Sequence, residues 1–284
     1  MQLTLFSAGY CKQLEAISIR GGKWRSMAFP AIFGCIEHPY WGLILFDTGY
    51  SSHFFRASDA FPYRLYRWTT PVTYSEGQSA LHQLKQRGYR AEDIRYIFLS
   101  HFHADHVGGL RDFPNARIIC SAAAYESVAG LQGFAAVKKA FLPDLMPDDI
   151  KDRLTLLGPS ALCSLPASLA PFTHGYDVMG DGSLLAIDLP GHAVGQLGLY
   201  MVDRHGAAYL LGADASWSAR AIRESRLPHP IAFALFDSSA YKETFRKLEE
   251  LHHNQPRLQM IFSHCHEAWE RCRVEEEGRG VGIE

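Results

Sequence analysis

Ser100-His101-Phe102-His103-Ala104-Asp105-His106-Val107-Gly108-Gly109 is the stretch on which the reading of this chain turns. It follows the apolar run Tyr96-Ile97-Phe98-Leu99, β-branched and aromatic and too short for a helix of its own, which reads as a buried strand. Four metal-competent side chains thus fall where a strand ends and the chain bends. His101 and His103 alternate as strand residues do and can point to one side. Asp105 and His106, past the bend, can face the same volume from a second direction, and Gly108 and Gly109 let the backbone pass close by. Imidazole with carboxylate suits zinc or another borderline first-row metal. Four such groups are too many for one catalytic ion that must keep a position open, so the turn points to two ions side by side. Each then needs further ligands from elsewhere. The plain alternative is a polar turn with scattered histidines, but HxHxDH behind a buried strand is too specific a pattern for that.

Three further candidates lie in the same local context. His192 follows the run Leu184-Leu185-Ala186-Ile187-Asp188-Leu189, Asp214 follows the strand-like segment 207–211, and His264 follows 258–262. Each stands just past the C-terminal end of an apolar strand, where separate segments can converge on one edge of a sheet. Taken singly each is as well read as a cap; the repetition after an HxHxDH turn makes the case. Asp47, in Asp47-Thr48-Gly49 behind Leu43-Ile44-Leu45-Phe46, can support a metal site or cap its own turn, and the turn is the preferred reading. His266 is a rival to His264.

The rest of the chain alternates strand and helix signals. Residues 3–5, 29–36, 43–46, 96–99, 116–120, 183–189, 195–202, 207–211 and 258–262 read as strands, with Asp203-Arg204-His205-Gly206 as a hairpin turn. A helix is expected over 75–87, capped by Ser75 or Ser79 and stopped at Gly88; another opens at Ser238 or Ser239 and carries Tyr241, Phe245, Leu248 and Leu251 on one face. Residues 121–170 read as helix and loop, with 122–128, 134–141 and 148–154 as helical candidates: a helical cap insertion in a single domain spanning 1–284. Residues 53–74 are crowded with rings, among them Phe54, Phe55, Phe61, Tyr63, Tyr66, Trp68 and Tyr74. They form either a loop packed on the core or an apolar wall over the site.

Composition narrows the class. The 284 residues are 47% hydrophobic and 20% charged with a net charge of -2, which gives no field to recruit nucleic acid or an anionic membrane. The six cysteines are dispersed without a CxxC pair and read as free thiols of a reducing compartment. There is no basic n-region with an apolar h-region behind it and no apolar run long enough to span a bilayer, so the expected location is cytoplasmic.

With these residues in view, the chain resembles the metallo-β-lactamase superfamily, and within it the N-acyl-homoserine-lactone lactonase branch. The resemblance rests on Phe46-Asp47-Thr48-Gly49, the stretch 99–109, Pro190-Gly191-His192, Gly212-Ala213-Asp214 and Phe262-Ser263-His264. It implies an α/β fold, a four-layer αβ/βα sandwich of two mixed β-sheets flanked by helices. It also implies that His101, His103 and His192 hold one metal, that Asp105, His106 and His264 hold the other, and that Asp214 bridges them. The implied cofactors are two divalent ions, zinc first, with iron, manganese and cobalt as alternatives. The implied activity is hydrolysis of a small ester or lactone bearing an apolar group: a hydroxide between the ions attacks the carbonyl, and Asp105 passes a proton to the leaving oxygen. Thioesters, aryl esters and phosphodiesters are alternative substrates for such a site, and a metal-binding regulatory or accessory protein is the non-enzymatic one. A monomer or homodimer is expected. Two positions depart from the lactonase pattern. Trp217 stands where those enzymes carry a carbonyl-binding tyrosine, with Ser216 and Ser218 as nearby substitutes, and Cys265 stands where they carry an acid.

Overall fold

The long strand Ser26–His38 shows how the layers arise. Its Phe29, Ala31, Phe33 and Cys35 join one apolar cluster, and its Ile32 and Ile36 join another. A strand buried on both faces lies inside a layered sandwich. The structure, a computed structural model, describes residues 1–234 and 236–277. Its first sheet contains β1 (Gln2–Leu14), β2 (Ser26–His38), β3 (Gly42–Phe46), β4 (Val72–Thr73), β5 (Ile94–Phe98), β6 (Arg117–Ser121) and β7 (Leu154–Leu157), in the spatial order β4-β1-β2-β3-β5-β6-β7. The second contains β8 (Leu162–Ser164), β9 (His174–Asp177), β10 (Leu184–Asp188), β11 (Leu197–Val202), β12 (Ala208–Ala213) and β13 (Gln259–Phe262), in the order β13-β12-β11-β10-β9-β8. Both are mixed: β3, β5, β6 and β7 run parallel, as do β12 and β13, and the remaining pairs are antiparallel.

Helices cover the outer faces. Phe54 and Ala57 of Ser52–Ala57, Leu84 of Ala80–Gln86 and Val128 of Ala122–Val128 pack against the first sheet. Ser238–Asn254 buries Tyr241, Phe245, Leu248 and Leu251 against the second. This is the four-layer αβ/βα sandwich the sequence implies. Between the sheets the approach is close: a Cβ on Gly34 would stand 3.2 Å from Leu3 and 3.5 Å from Leu211.

Several boundaries differ from the sequence expectation, each for a local reason. Ser75 and Ser79 both cap, one element each. Ser75 opens a 3-10 turn over Glu76–Gln78, and the Ser79 hydroxyl accepts from His82 N at the head of Ala80–Gln86. The long helix is capped by Asp237, whose carboxylate accepts from the Ser239 and Ala240 amides, rather than by Ser238 or Ser239. The strands β7 and β8 fall within 121–170, a stretch read as helix and loop. They are four and three residues long and lie at the sheet edges, too short to show a period. Among the described residues, no helix is long and apolar enough to cross a membrane.

Topology then dictates where chemistry can gather. β10 and β12 are each antiparallel to β11 and so point the same way, and β13 is parallel to β12. The segments carrying His192, Asp214 and His264 therefore leave the second sheet at one edge. Parallel β3 and β5 deliver Asp47 and the HxHxDH turn from the first sheet. Two backbone bonds hold these edges together, Ile32 N to Ser263 O and Leu197 N to Ser100 O, both 3.0 Å.

Candidate metal centre

The turn after β5 is extended at His103 and then enters one helical turn, Ala104–Val107, which swings Asp105 and His106 back toward the histidines. Gly108 is required by the close return of the chain, because a Cβ there would lie 2.5 Å from Gly49 O. At Gly191 a Cβ would lie 2.3 Å from Tyr241 Cα, so the loop bearing His192 sits directly on the helix behind it.

All seven candidates meet. One set of ligand atoms from His101, His103 and His192 lies mutually within 4.8 Å, as do those of His101, His106 and Asp214 and those of Asp105, His106 and His264. Asp214 touches both ends of the cluster: its Oδ2 is 3.0 Å from His264 Nε2 and 3.2 Å from His192 Nε2, and its Oδ1 is 3.4 Å from His106 Nε2. Asp105 Oδ2 stands 3.3 Å from His264 Nε2. His266, the rival, is not in the site; its ring is half exposed beside Trp269 and 3.9 Å from Glu270. Cys265 is buried, and its sulfur accepts from Ala219 N.

The imidazoles are oriented from behind. Asp47, preferred as a turn residue on sequence, accepts from His106 Nδ1 at 2.7 Å and from Ser100 N and Oγ at 2.9 and 2.8 Å. With its own proton given to Asp47, the Ser100 hydroxyl accepts from His101 Nδ1 at 3.0 Å. His264 Nδ1 donates to Pro30 O at 2.7 Å. Each bond fixes a tautomer and turns the other ring nitrogen inward. Asp47 does sit at a turn, with φ of 58°, so its two readings coincide.

The electrostatics are those of a site arranged around a cation. Burial opposes charge on Asp214, but His264, His106 and His192 outweigh it and hold the carboxyl well below its usual range. Burial likewise opposes charge on His106 and His264. The surrounding aspartates reverse this, raising His106 well above its usual range and His264 to about 9. In His103 and His192 burial prevails and lowers the rings to about 4 and about 3. His101 Nε2, His106 Nε2, His192 Nδ1 and Asp214 Oδ1 are buried without a hydrogen-bond partner. Buried polar atoms without partners are costly, and a cation held by His101, His106 and Asp214, whose ligand atoms lie within 4.8 Å of one another, would satisfy theirs. This donor set fits a pair of divalent ions.

Comparison with known proteins decides the family. The sequence profile described as the metallo-β-lactamase superfamily matches residues 42–254. The chain belongs to the metallo-β-lactamase superfamily. Among superfamily relatives it is 28% identical over 197 residues to the N-acyl homoserine lactonase AttM of Rhizobium radiobacter, covering 68% of this chain and 66% of that protein, just under two thirds of its length. It is 26% identical over 233 residues to an N-acyl homoserine lactonase of Bacillus cereus, covering 82% of this chain and 80% of the relative. A solved N-acyl homoserine lactone hydrolase, with the product N-hexanoyl-L-homoserine at its catalytic metal centre, superposes with a TM-score of 0.72 at 20% identity, covering 95% of this chain and 96% of that one. At that identity the likeness is one of fold.

Around the superfamily motif, rings form one wall. Trp217 stands edge-on to His192 with centroids 6.1 Å apart and also meets Phe29 and Phe236. Phe236 lies 5.6 Å from His192, and Phe29 lies 6.0 Å from His264. Ser216 and Ser218 do not replace the missing phenol. The first donates to Ser218 O, and the second accepts from Ala221 N as a helix cap. The ring-rich segment divides. Phe54 and Tyr66 are buried in the core of the first-sheet side, whereas Phe61 and Trp68 are exposed. The sequence reading missed Phe29, Phe236 and the Pro30 carbonyl, which reach the site only through tertiary contact.

Proposed function

We propose that the protein is a dinuclear metal-dependent hydrolase that opens the lactone ring of N-acyl homoserine lactones. The observation that carries this is Asp214, shared between the two ends of a largely buried seven-residue cluster on the fold of its lactonase relatives. In this reading His101, His103 and His192 hold one ion, Asp105, His106 and His264 hold the other, and Asp214 joins them. The ions, zinc by the imidazole and carboxylate donors with iron, manganese or cobalt also accommodated, supply a water of lowered pKa and polarise the carbonyl when bound.

The chain's own residues do the rest. Asp47 and Ser100 hold His106 and His101 in the ligating tautomer. Asp105, beside His264, would take the remaining proton of the attacking water once it has added to the carbonyl and pass it to the leaving alkoxide oxygen of the opened ring. Trp217, Phe236 and Phe29 give the substrate an apolar wall. Residues 121–170 cap one flank of the motif, with Tyr125 and Phe141 packed on Phe102. Mass spectrometry of products from short-chain and long-chain acyl homoserine lactones tests the reading. It requires a gain of one water by the lactone with the zinc-loaded protein and none with Asp214→Ala. Turnover of thioesters or phosphodiesters alone would keep the site and remove the lactone.

A further inference from the structure

The seven ligand residues are not equally withdrawn from solvent. His101, Asp105, His106, Asp214 and His264 are buried, whereas His103 and His192 are partly exposed. The cluster therefore meets solvent on the side of His103 and His192, and a substrate must reach it there.

Ring contacts show what borders that opening. Phe236 lies tilted against His192 with centroids 5.6 Å apart. Trp217 stands edge-on both to His192, at 6.1 Å, and to Phe236, at 6.0 Å. Phe233 continues the row one step further from the histidines, edge-on to Phe236 at 5.5 Å. Phe233 and Phe236 both rest on Tyr241, which is 1% exposed, at 5.8 and 5.1 Å, yet neither is itself buried. Each thus has one side on the core and leaves apolar surface open beside the metal centre. An apolar group laid on that surface removes it from water.

The ring-rich segment 53–74 has no such connection. Phe54 and Tyr66 pack on each other in the core, and Phe61 and Trp68 are 67% and 64% exposed, with Phe61 edge-on to Phe134 at 5.5 Å. Among the described residues, the aromatic side chains whose rings meet the histidines of the cluster are Phe29, Trp217 and Phe236, and none comes from 53–74.

We propose that Phe236 is the specificity-determining residue for the acyl group: the apolar chain leaves the metal centre past His192 and runs over Trp217, Phe236 and Phe233. The inference rests on the hydrolase reading above and deepens it by assigning the side on which the acyl chain lies.

The test is calorimetric binding of N-acylglycines to the zinc-loaded protein, with zinc content measured in every variant. These compounds carry a carboxylate for the ions, an amide and a chain, but no ring to open. From N-acetylglycine to N-hexanoylglycine the affinity of the wild type should rise with every methylene, by at most about fourfold each, the value for full burial. Phe236→Ala should flatten the rise, weakening N-hexanoylglycine about 10-fold and N-acetylglycine less than about twofold. Phe61→Ala should leave both unchanged. If Phe236→Ala sheds zinc, Phe236→Gln replaces it, a side chain that fills the place without being apolar, and the rise should flatten likewise. In lactone kinetics the loss should fall on KM of the hexanoyl substrate rather than on kcat. A wild type that binds no N-acylglycine or shows no rise with chain length overturns the proposal, as does a rise that survives in the Phe236 variant or disappears in Phe61→Ala. A rise that depends on Phe236 in a protein that opens no lactone supports the proposal and removes the lactonase reading instead.

Discussion

His106 Nδ1 donates to Asp47 Oδ2 at 2.7 Å, between two side chains that are almost wholly withdrawn from solvent. The bond places an invisible constraint on the opposite ring nitrogen, which faces Asp105 and Asp214. Asp47→Asn keeps the shape, but its amide nitrogen cannot accept. Metal affinity should fall about 10-fold to 100-fold while the fold is retained. A chelator competition titration measures this, and an unchanged affinity would mean that Asp47 serves its turn alone.

Metal uptake should release protons. His106 is held well above its usual range and His264 at about 9, so without metal both rings carry a proton at neutral pH. A ligating nitrogen must give its proton up. His103 and His192, at about 4 and about 3, are already neutral there and release none. Affinity should therefore rise with pH from 6 toward about 9, where His264 deprotonates unaided. Calorimetry in buffers of different ionisation enthalpy reads the released protons; uptake without release would contradict the assignment.

Gly191→Ala should be costly although it adds one methyl group. The new Cβ would fall 2.3 to 2.4 Å from the Tyr241 backbone, at a residue whose φ is 132°. Backbone cannot swing aside as a side-chain tip can, so the His192 loop must lift off its helix. A loss of about 2 to 4 kcal/mol of stability is expected. Thermal unfolding checks this, and a melting temperature equal to that of the wild type would refute it.

Trp217→Phe separates the ring from its N–H. The ring contacts to His192, Phe29 and Phe236 need only an aromatic side chain. If Trp217 serves as an apolar wall alone, kcat should change by less than about threefold, well short of the loss of a hydrogen bond to a charged group. A fall of 100-fold would make the indole N–H of Trp217 a donor to the substrate.

Much of this site was legible because it is local. Four of the seven donors lie within six residues, and the spacing after Leu99 alone told of a strand ending in a cluster. His192, Asp214 and His264 were legible as strand ends because β10, β12 and β13 leave their sheet at one edge. Asp47 was ambiguous because one residue closes a turn and orients His106 at once. Tyr66 lies in a segment whose rings look alike in sequence. Only the packing around Phe54 separates it from exposed Trp68. The strands β7 and β8 were hidden by their length.

The central claim is a two-ion site joined by Asp214, and native mass spectrometry of the metal-loaded protein tests it most directly. The account predicts two divalent ions per chain in the wild type, and their loss together with hydrolysis in Asp214→Ala. One ion in the wild type, or two ions and full activity in Asp214→Ala, would contradict it.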